Sequence, residues 1–320
     1  MHKRILITGC AGFIGSNLTH HCLREGWDVY GVDDLSRGRV DFLPKSFVGD
    51  SDRFIRSDFS SAGVLNLISK HNFDAVVHLA AVPRISFSVE HPVLTNDVNV
   101  SRTLALMQGC RDNIGRFVFS SSSSVYGGAD VLPTPTTYPK DPKSPYALQK
   151  SVIEDYMTLY SRLYRLDTVS LRFFNVFGPH QLGSSPYSTA VSAWLNAVLR
   201  GESMRSDGDG TQSRDMCYID NVVDACVRAV VHDRRLDGVR LNVACGDRTS
   251  NRQVLDHLLS RYPGSRYHEA PWRVGDVMHT QADISDTTRI LGYVPLVKFW
   301  EGLERTIEWY ERSWNDIKGL

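Results

Sequence analysis

The sequence predicts an α/β protein built on a doubly wound parallel sheet, and three features predict it. Short apolar runs alternate with helical stretches through the first half of the chain. Those runs are nearly continuous in apolar residues, as strands buried on both faces are. A glycine-rich turn joins the first run to the first helix. After Gly178 the texture changes, and a smaller α/β domain interleaved with the first is the economical reading of the remainder.

The first strand is Ile5 to Ile7. TGCAGFIGSN then leads into Phe13 to Arg24, where apolar side chains recur at mixed three and four spacing until Gly26 stops the helix. Trp27 to Val32 is the second strand. Arg53 to Arg56, Asp74 to Leu79, Arg116 to Phe119 and Thr168 to Leu171 continue the series, with helices near Val93 to Arg111 and Tyr146 to Tyr164. GPHQLGSSPYS has the composition of a loop. Helices follow at Thr189 to Arg200, Asp220 to His232, Thr249 to Arg261 and Trp300 to Trp314. The expected division is residues 1–176 for the first domain, with 217–246 returning to it, and 177–320 for the second.

A chain of 320 residues with 42% hydrophobic content can bury one large core or two modest ones. Its 36 basic residues balance 36 acidic ones, so no overall field recruits nucleic acid or an anionic membrane. The six cysteines are scattered without a CxxC pair or a Cys/His cluster, which argues against zinc and against a disulfide framework. No apolar run approaches the ~18 residues that cross a bilayer, and MHKRILITG lacks a signal-peptide core. Residence in the cytoplasm is the default expectation.

Gly9, Gly12 and Gly15 stand where the first strand turns into its helix. Glycine lets the backbone turn tightly and come close to a pyrophosphate held at the helix N-terminus, where N–H groups lack partners. The same residues would also serve tight helix–strand packing. Asp33 ends the second strand near the ~20-residue offset at which a carboxylate meets an adenosine ribose. This pattern marks a Rossmann-type fold. A carboxylate at Asp33 repels the 2′-phosphate of NADP and favours NAD, although Arg37 and Arg39 stand close by.

Downstream, Ser120 to Ser124 follow an apolar run, and Tyr146 and Lys150 form a YxxxK on a helix. Residues i and i+4 share a helix face, so this pair can reach one site. A free phenol with pKa ~10 is a poor base at neutral pH. An adjacent ammonium and a cationic nicotinamide favour its phenolate, which makes Tyr146 a candidate general base.

TGCAGFIG, Asp58, HLAA at 78–81, Asn99, SSSSSVYG, YALQK, LRFFNVFGP and GDGTQSRDMCYIDNV, taken together, resemble the extended short-chain dehydrogenase/reductase family. Within that family the chain is most similar to the nucleotide-sugar 4-epimerases. NVACGDRTS and RVGDVMHTQAD look most like the branch acting on UDP-N-acetylhexosamines. The resemblance implies a catalytic trio of Ser122, Tyr146 and Lys150. It implies cofactor contacts from Gly9, Gly12, Phe13, Ile14, Gly15, Asp33, Asp34, Asp58, Phe59, Leu79, Ala80, Ala81, Asn99 and Phe173, with Asp58 at the adenine. For substrate it implies Arg84, Ser88, Ser122, Tyr146 and Asn175, a diphosphate clamp of Arg214 and Arg273, Asp276 at the ribose, and Thr280 beside the sugar. A homodimer through the helices near Val93 to Arg111 and Tyr146 to Tyr164 is implied as well.

Relatives that dehydrate nucleotide sugars carry Asp-Glu where this chain has Ser123 and Ser124, and decarboxylating relatives carry a glutamate at the position of Ser124. Hydroxyls do not replace a carboxylate pair in proton transfer. The expected reaction is therefore NAD-dependent epimerisation at carbon 4 of a UDP-sugar through a 4-keto intermediate. Thr280 stands where hexose-only epimerases carry a bulky aromatic, which points to UDP-GlcNAc/UDP-GalNAc, with UDP-Glc/UDP-Gal as the other pair. The alternatives are a 4-keto nucleotide-sugar reductase and a non-catalytic NAD-binding scaffold. Three departures from the family pattern stand out: the loop VPRISFS at 82–88, Arg102 in place of a glycine, and Ser192-Ala193 in place of Pro-Lys.

Overall fold

The computed structural model describes every residue except 1, 84, 186–187 and 273–276. Its sheet strands are β1 (Arg4–Thr8), β2 (Asp28–Asp33), β3 (Phe54–Arg56), β4 (Phe73–His78), β5 (Ile114–Ser122), β6 (Asp167–Phe173) and β7 (Val239–Val243). They run parallel in the order β7-β6-β5-β4-β1-β2-β3. The chain moves outward from β1 to β3 and then returns to the other side of β1 with β4. At that reversal the connections leave in opposite directions, and a crevice opens beyond the carboxyl ends of β1 and β4.

The helices that cover the sheet are α1 (Phe13–Arg24), α2 (Ala62–His71), α3 (residues 92–110), α4 (Pro145–Tyr164) and α5 (Ile219–Val231). Ile5 and Ile7 face one side of β1 and join Leu18 and Cys22 of α1 and Val222 and Cys226 of α5 in one apolar cluster. Leu6 faces the other side and packs with Leu106, Met107, Ile153 and Met157 from α3 and α4. Burial on both faces is what the unbroken apolar runs require.

Several elements differ from the sequence expectation, and four show why. Strand β5 continues past Phe119 through Ser122, because Ser120, Ser121 and Ser122 keep pairing with Leu171, Arg172 and Phe173 of β6. Helix α2 was not expected, since Gly63 falls in its first turn; Ser61 caps it by accepting from the amide of Val64, and Asn72 closes it in the left-handed region. Helix α3 contains a π turn over Asp97–Arg102 between the α-helical pieces Pro92–Asn96 and Thr103–Cys110. Thr249 and Ser250 form a short strand against Ser213–Arg214, so that helix starts at Asn251, where Ser250 and Gln253 make a capping box.

The rest of the chain holds the helices Ala190–Leu199, Asn251–Arg261 and Phe299–Ile317 and the parallel strand pair Met204–Asp207 with Tyr267–Ala270. No described helix is long and apolar enough to cross a membrane.

Candidate active site

The crevice at the switch point is a cavity of about 460 Å³. Its floor is the glycine-rich turn. Gly9 has φ of +70°, and a side chain there would run into the backbone of Ala80. The turn is pinned to the sheet by Gly9 N–H donating to Val32 O at 2.8 Å. Helix α1 begins at Phe13 with no side-chain cap on Gly12. The first-turn amides therefore have no partner within the helix, which suits an anion.

Asp33 stands at the end of β2, nearly buried, and its carboxylate accepts from the amides of Ala11 (3.0 Å) and Leu35 (2.9 Å). Burial raises its pKa against the pull of these two donors. Each oxygen keeps a lone pair for a further donor. The following segment crosses close to it: a Cβ on Gly38 would lie 2.6 Å from the carboxylate.

Gly9, Gly12, Phe13, Ile14, Gly15, Asp33, Asp34, Phe59, Leu79, Ala80, Ala81, Phe173 and Asn175 all line this one cavity, together with Ser122, Tyr146 and Lys150. Asp58 and Asn99 do not line it. Asp58 turns toward Arg102, whose Nη1 lies 2.5 Å from Oδ2, and its other oxygen takes both the amide and the hydroxyl of Ser60. Burial alone would raise the Asp58 carboxyl, but the Ser60 and Arg102 bonds hold it below the ordinary range. Asn99 is buried inside the π turn, where its side chain accepts from Val82 N and donates to Val82 O and to Gln149 Oε1, so it holds the 82–83 loop.

On the substrate side, Ser88 is fully buried and its hydroxyl donates to Ile85 O while accepting from the amide of Tyr146. It steadies the start of α4 rather than facing the cavity, because that first-turn amide would otherwise lack a partner. Asn175 donates to Asp215 O and to the Thr280 hydroxyl at 3.2 Å, and Arg214 donates to Ser213 O and Met278 O. Neither Arg214 nor Thr280 lines the cavity itself. Arg84, Arg273 and Asp276 lie outside the described residues.

The serines separate by their partners. Ser120 donates to His78 O at 2.9 Å and Ser121 to Glu154 Oε1 at 2.6 Å, so both are spoken for within the fold. Ser122 lines the cavity with its hydroxyl accepting from the amide of Ser124, and it stands close enough to Tyr146 to pull the phenol's pKa down. Lys150 donates to Ser120 O at 2.6 Å and lies 5.8 Å from the centroid of the Tyr146 ring. Both groups are buried, Tyr146 at 9% exposure and Lys150 at 3%.

Burial moves both away from their charged forms. Tyr146 is pushed up to about 12, only partly offset by Ser122, and Lys150 is pushed down to about 7 against the opposing charge of Glu154. The phenolate expected from a neighbouring ammonium is thus not favoured by the protein alone. A further positive charge in the cavity is needed, and an oxidised nicotinamide is such a charge. Sequence reasoning missed several lining residues, among them Ser57, Val98 and His180. His180 stacks on Phe42 at 4.6 Å and bonds Ser16 at 2.9 Å, and only its place after Gly178-Pro179 hinted at it.

A doubly wound sheet with a glycine cradle, an acidic β2 end and a Ser–Tyr–Lys trio at one cavity defines an extended short-chain dehydrogenase/reductase. The chain belongs to the NAD dependent epimerase/dehydratase family, whose model matches residues 5–244. It is 35% identical over 315 residues to a UDP-glucose 4-epimerase of Mycolicibacterium smegmatis, covering 97% of this chain and 99% of that protein. Its structure is similar, with a TM-score of 0.89 and 31% identity, to a UDP-N-acetylglucosamine 4-epimerase from Methanobrevibacter ruminantium in complex with UDP-N-acetylmuramic acid, covering 98% of this chain and 99% of that one. A Thermus thermophilus UDP-glucose 4-epimerase in complex with NAD matches with a TM-score of 0.85 and 30% identity over 96% of this chain and 99% of its own. NAD is the cofactor, and the cradle that excludes side chains at Gly9 and Gly15 fits its pyrophosphate.

Proposed function

We propose that this chain interconverts UDP-GlcNAc and UDP-GalNAc by epimerisation at carbon 4, with UDP-Glc and UDP-Gal as a second substrate pair. The observation that carries the reading is the cavity wall around Tyr146: Ser122 and Lys150 are beside it, and the acids among the described lining residues are Asp33 and Asp34, at the cradle end. Oxidation of a hydroxyl has its base there, whereas a dehydration has no further acid–base pair. In this reading Gly9 to Gly15, Asp33 and Asp34 hold the dinucleotide, and residues 177–216 and 247–320 supply the nucleotide-sugar half.

When bound, NAD supplies a hydride acceptor that later returns the hydride. Tyr146 accepts the proton of the carbon-4 hydroxyl and gives it back. Ser122 bonds that same oxygen from beside the phenol, which orients the hydroxyl toward Tyr146. Lys150 adds the positive charge that, with the nicotinamide, brings the phenol down from about 12. Asn175 lines the cavity while its Nδ2 donates to Asp215 O and to the Thr280 hydroxyl.

The test is product analysis by NMR and mass spectrometry over a panel of UDP, GDP and dTDP sugars. UDP-GlcNAc is expected to give UDP-GalNAc with no added reductant. Stoichiometric consumption of NADPH would replace the reading with a 4-keto-sugar reductase.

The choice of acetamido sugar rests on Thr280, whose hydroxyl accepts from Asn175 Nδ2 and from the amide of Asp215, both at 3.2 Å. A Thr280→Tyr variant is expected to lose UDP-GlcNAc turnover and keep UDP-Glc turnover. Because that change also releases Asn175, Thr280→Ser, which keeps the acceptor, is the control and should leave both activities intact. Equal loss of both activities in the tyrosine variant would remove the size argument.

We also infer a homodimer. Val93 and Leu94 on α3 and Leu148, Leu159 and Leu163 on α4 are apolar yet exposed, and a second copy of the two helices would cover them. The double variant Leu159→Asp/Leu163→Asp is expected to sediment as a monomer; an unchanged mass would place the contact elsewhere.

A further inference from the structure

Glu154 lies one turn beyond Lys150 and two beyond Tyr146 on α4, so the three share a face. It is fully buried, and so is its partner Arg172 at 1% exposure. Arg172 grips the carboxylate with both arms, Nε to Oε1 at 2.8 Å and Nη2 to Oε2 at 2.7 Å. Ser121 donates to the same Oε1 at 2.6 Å. The remaining arm of Arg172 donates to the Tyr126 hydroxyl at 2.7 Å, which donates to Asn242 Oδ1 at 2.7 Å. Asn242 in turn donates to Thr134 O and Asp283 O. The carboxylate is thereby held from β5, β6 and, through Tyr126 and Asn242, from β7.

A buried ion pair is poor evidence of stability, since desolvation offsets its attraction. This one stands directly behind the catalytic trio. We propose that Glu154 is a positioning residue for the reaction: its charge keeps the ammonium on Lys150, and its bond to Ser121 fixes the strand end that presents Ser122.

Among the described residues, the groups facing Lys150 leave no other anion for the task. From its own helix there are Tyr146 and Glu154. From β5 there are the Ser120 carbonyl and the Phe119 ring at 4.6 Å. From β4 there is His78, which burial, then the Lys150 charge, pushes down to about 3, so it is neutral. Around Glu154 itself stand Arg172 and, at 3.6 Å, Arg240 Nε. Burial already brings Lys150 down to about 7 against the Glu154 charge, so removing that charge lowers it further.

The inference rests on Tyr146 and Lys150 acting as proposed above, and its test does not require turnover. In the NAD-bound protein labelled with 13C-lysine, the Lys150 Cε resonance, assigned by its absence in Lys150→Arg, is titrated in wild type and in Glu154→Gln. Its midpoint is expected to fall by about one to three pH units in the variant. In parallel, the alkaline limb of kcat moves to lower pH while KM for the UDP-sugar stays put.

Glu154→Gln also strands the Arg172 guanidinium, and a merely structural role would show as lost stability with an unmoved Lys150 midpoint. The pair Glu154→Gln/Arg172→Met removes both buried charges. It is expected to regain stability and keep the lowered midpoint. A wild-type midpoint in either variant overturns the inference. Wild-type protein that binds NAD and turns over no nucleotide sugar would instead remove the functional reading, whatever the titration gives.

Discussion

Replacing Tyr146 by Phe is expected to lower turnover by about 10²–10⁴-fold while the protein still carries NAD. The change removes one oxygen from a ring that is 9% exposed and leaves its packing alone. What is lost is the proton acceptor that stands, among the described residues, between Ser122 and Lys150 at the cavity. The cradle at Gly9 to Gly15 and the carboxylate of Asp33 are untouched, so cofactor content measured after denaturation should match wild type. Turnover close to wild type in Tyr146→Phe would mean that another group takes the hydroxyl proton.

The second large effect is at Gly15. A Cβ there would lie 2.0 Å from Gly9 O and 2.8 Å from Cys10 Cα, both backbone atoms that cannot swing aside. Gly15→Ala must therefore push the first turn of α1 away from the strand end, and overpacking of this kind costs about 1–3 kcal/mol or more. The same movement carries off the first-turn amides that would meet the pyrophosphate. The variant is expected to purify with almost no NAD and to melt several degrees below wild type. Full cofactor content at an unchanged melting temperature would show that the cradle is looser than its geometry. Ala11→Gly, a nearby change that adds no atom, is the control and should keep the cofactor.

Much of the fold was legible because each buried strand carries its own signature. A strand covered on both faces is expected to be apolar at successive positions, and β1 and β4 read that way without reference to anything else. The end of β5 did not, because Ser120 and Ser121 are polar and their place in the sheet depends on β6 and on the partners His78 and Glu154. Helix α2 was hidden by Gly63, whose cost is met by the Ser61 cap and by burial of Val64 and Ile68.

The site divides in the same way. Gly9, Gly12, Gly15, Asp33, Tyr146 and Lys150 announce themselves by spacing along one segment, and all six line the cavity. Ser88, Asn99 and Asp58 carried the right chemistry in the right order but turn to internal partners. Asp58 is the instructive case, since Arg102 occupies the place of a glycine and takes its carboxylate.

Local periodicity, glycine placement and the i, i+4 spacing of the YxxxK were enough to point to the sheet, the cradle and the Tyr146–Lys150 pair, because each depends on neighbours within a turn or a strand, whereas Ser122 was implied by the family resemblance. Whether the phenol is ionised, which serine hydroxyls are taken up by partners within the fold and what anion stands behind Lys150 were decided only in three dimensions. Those properties depend on desolvation and on charges from β4 to β7, segments up to 162 residues apart such as His78 and Arg240, and no local pattern records them.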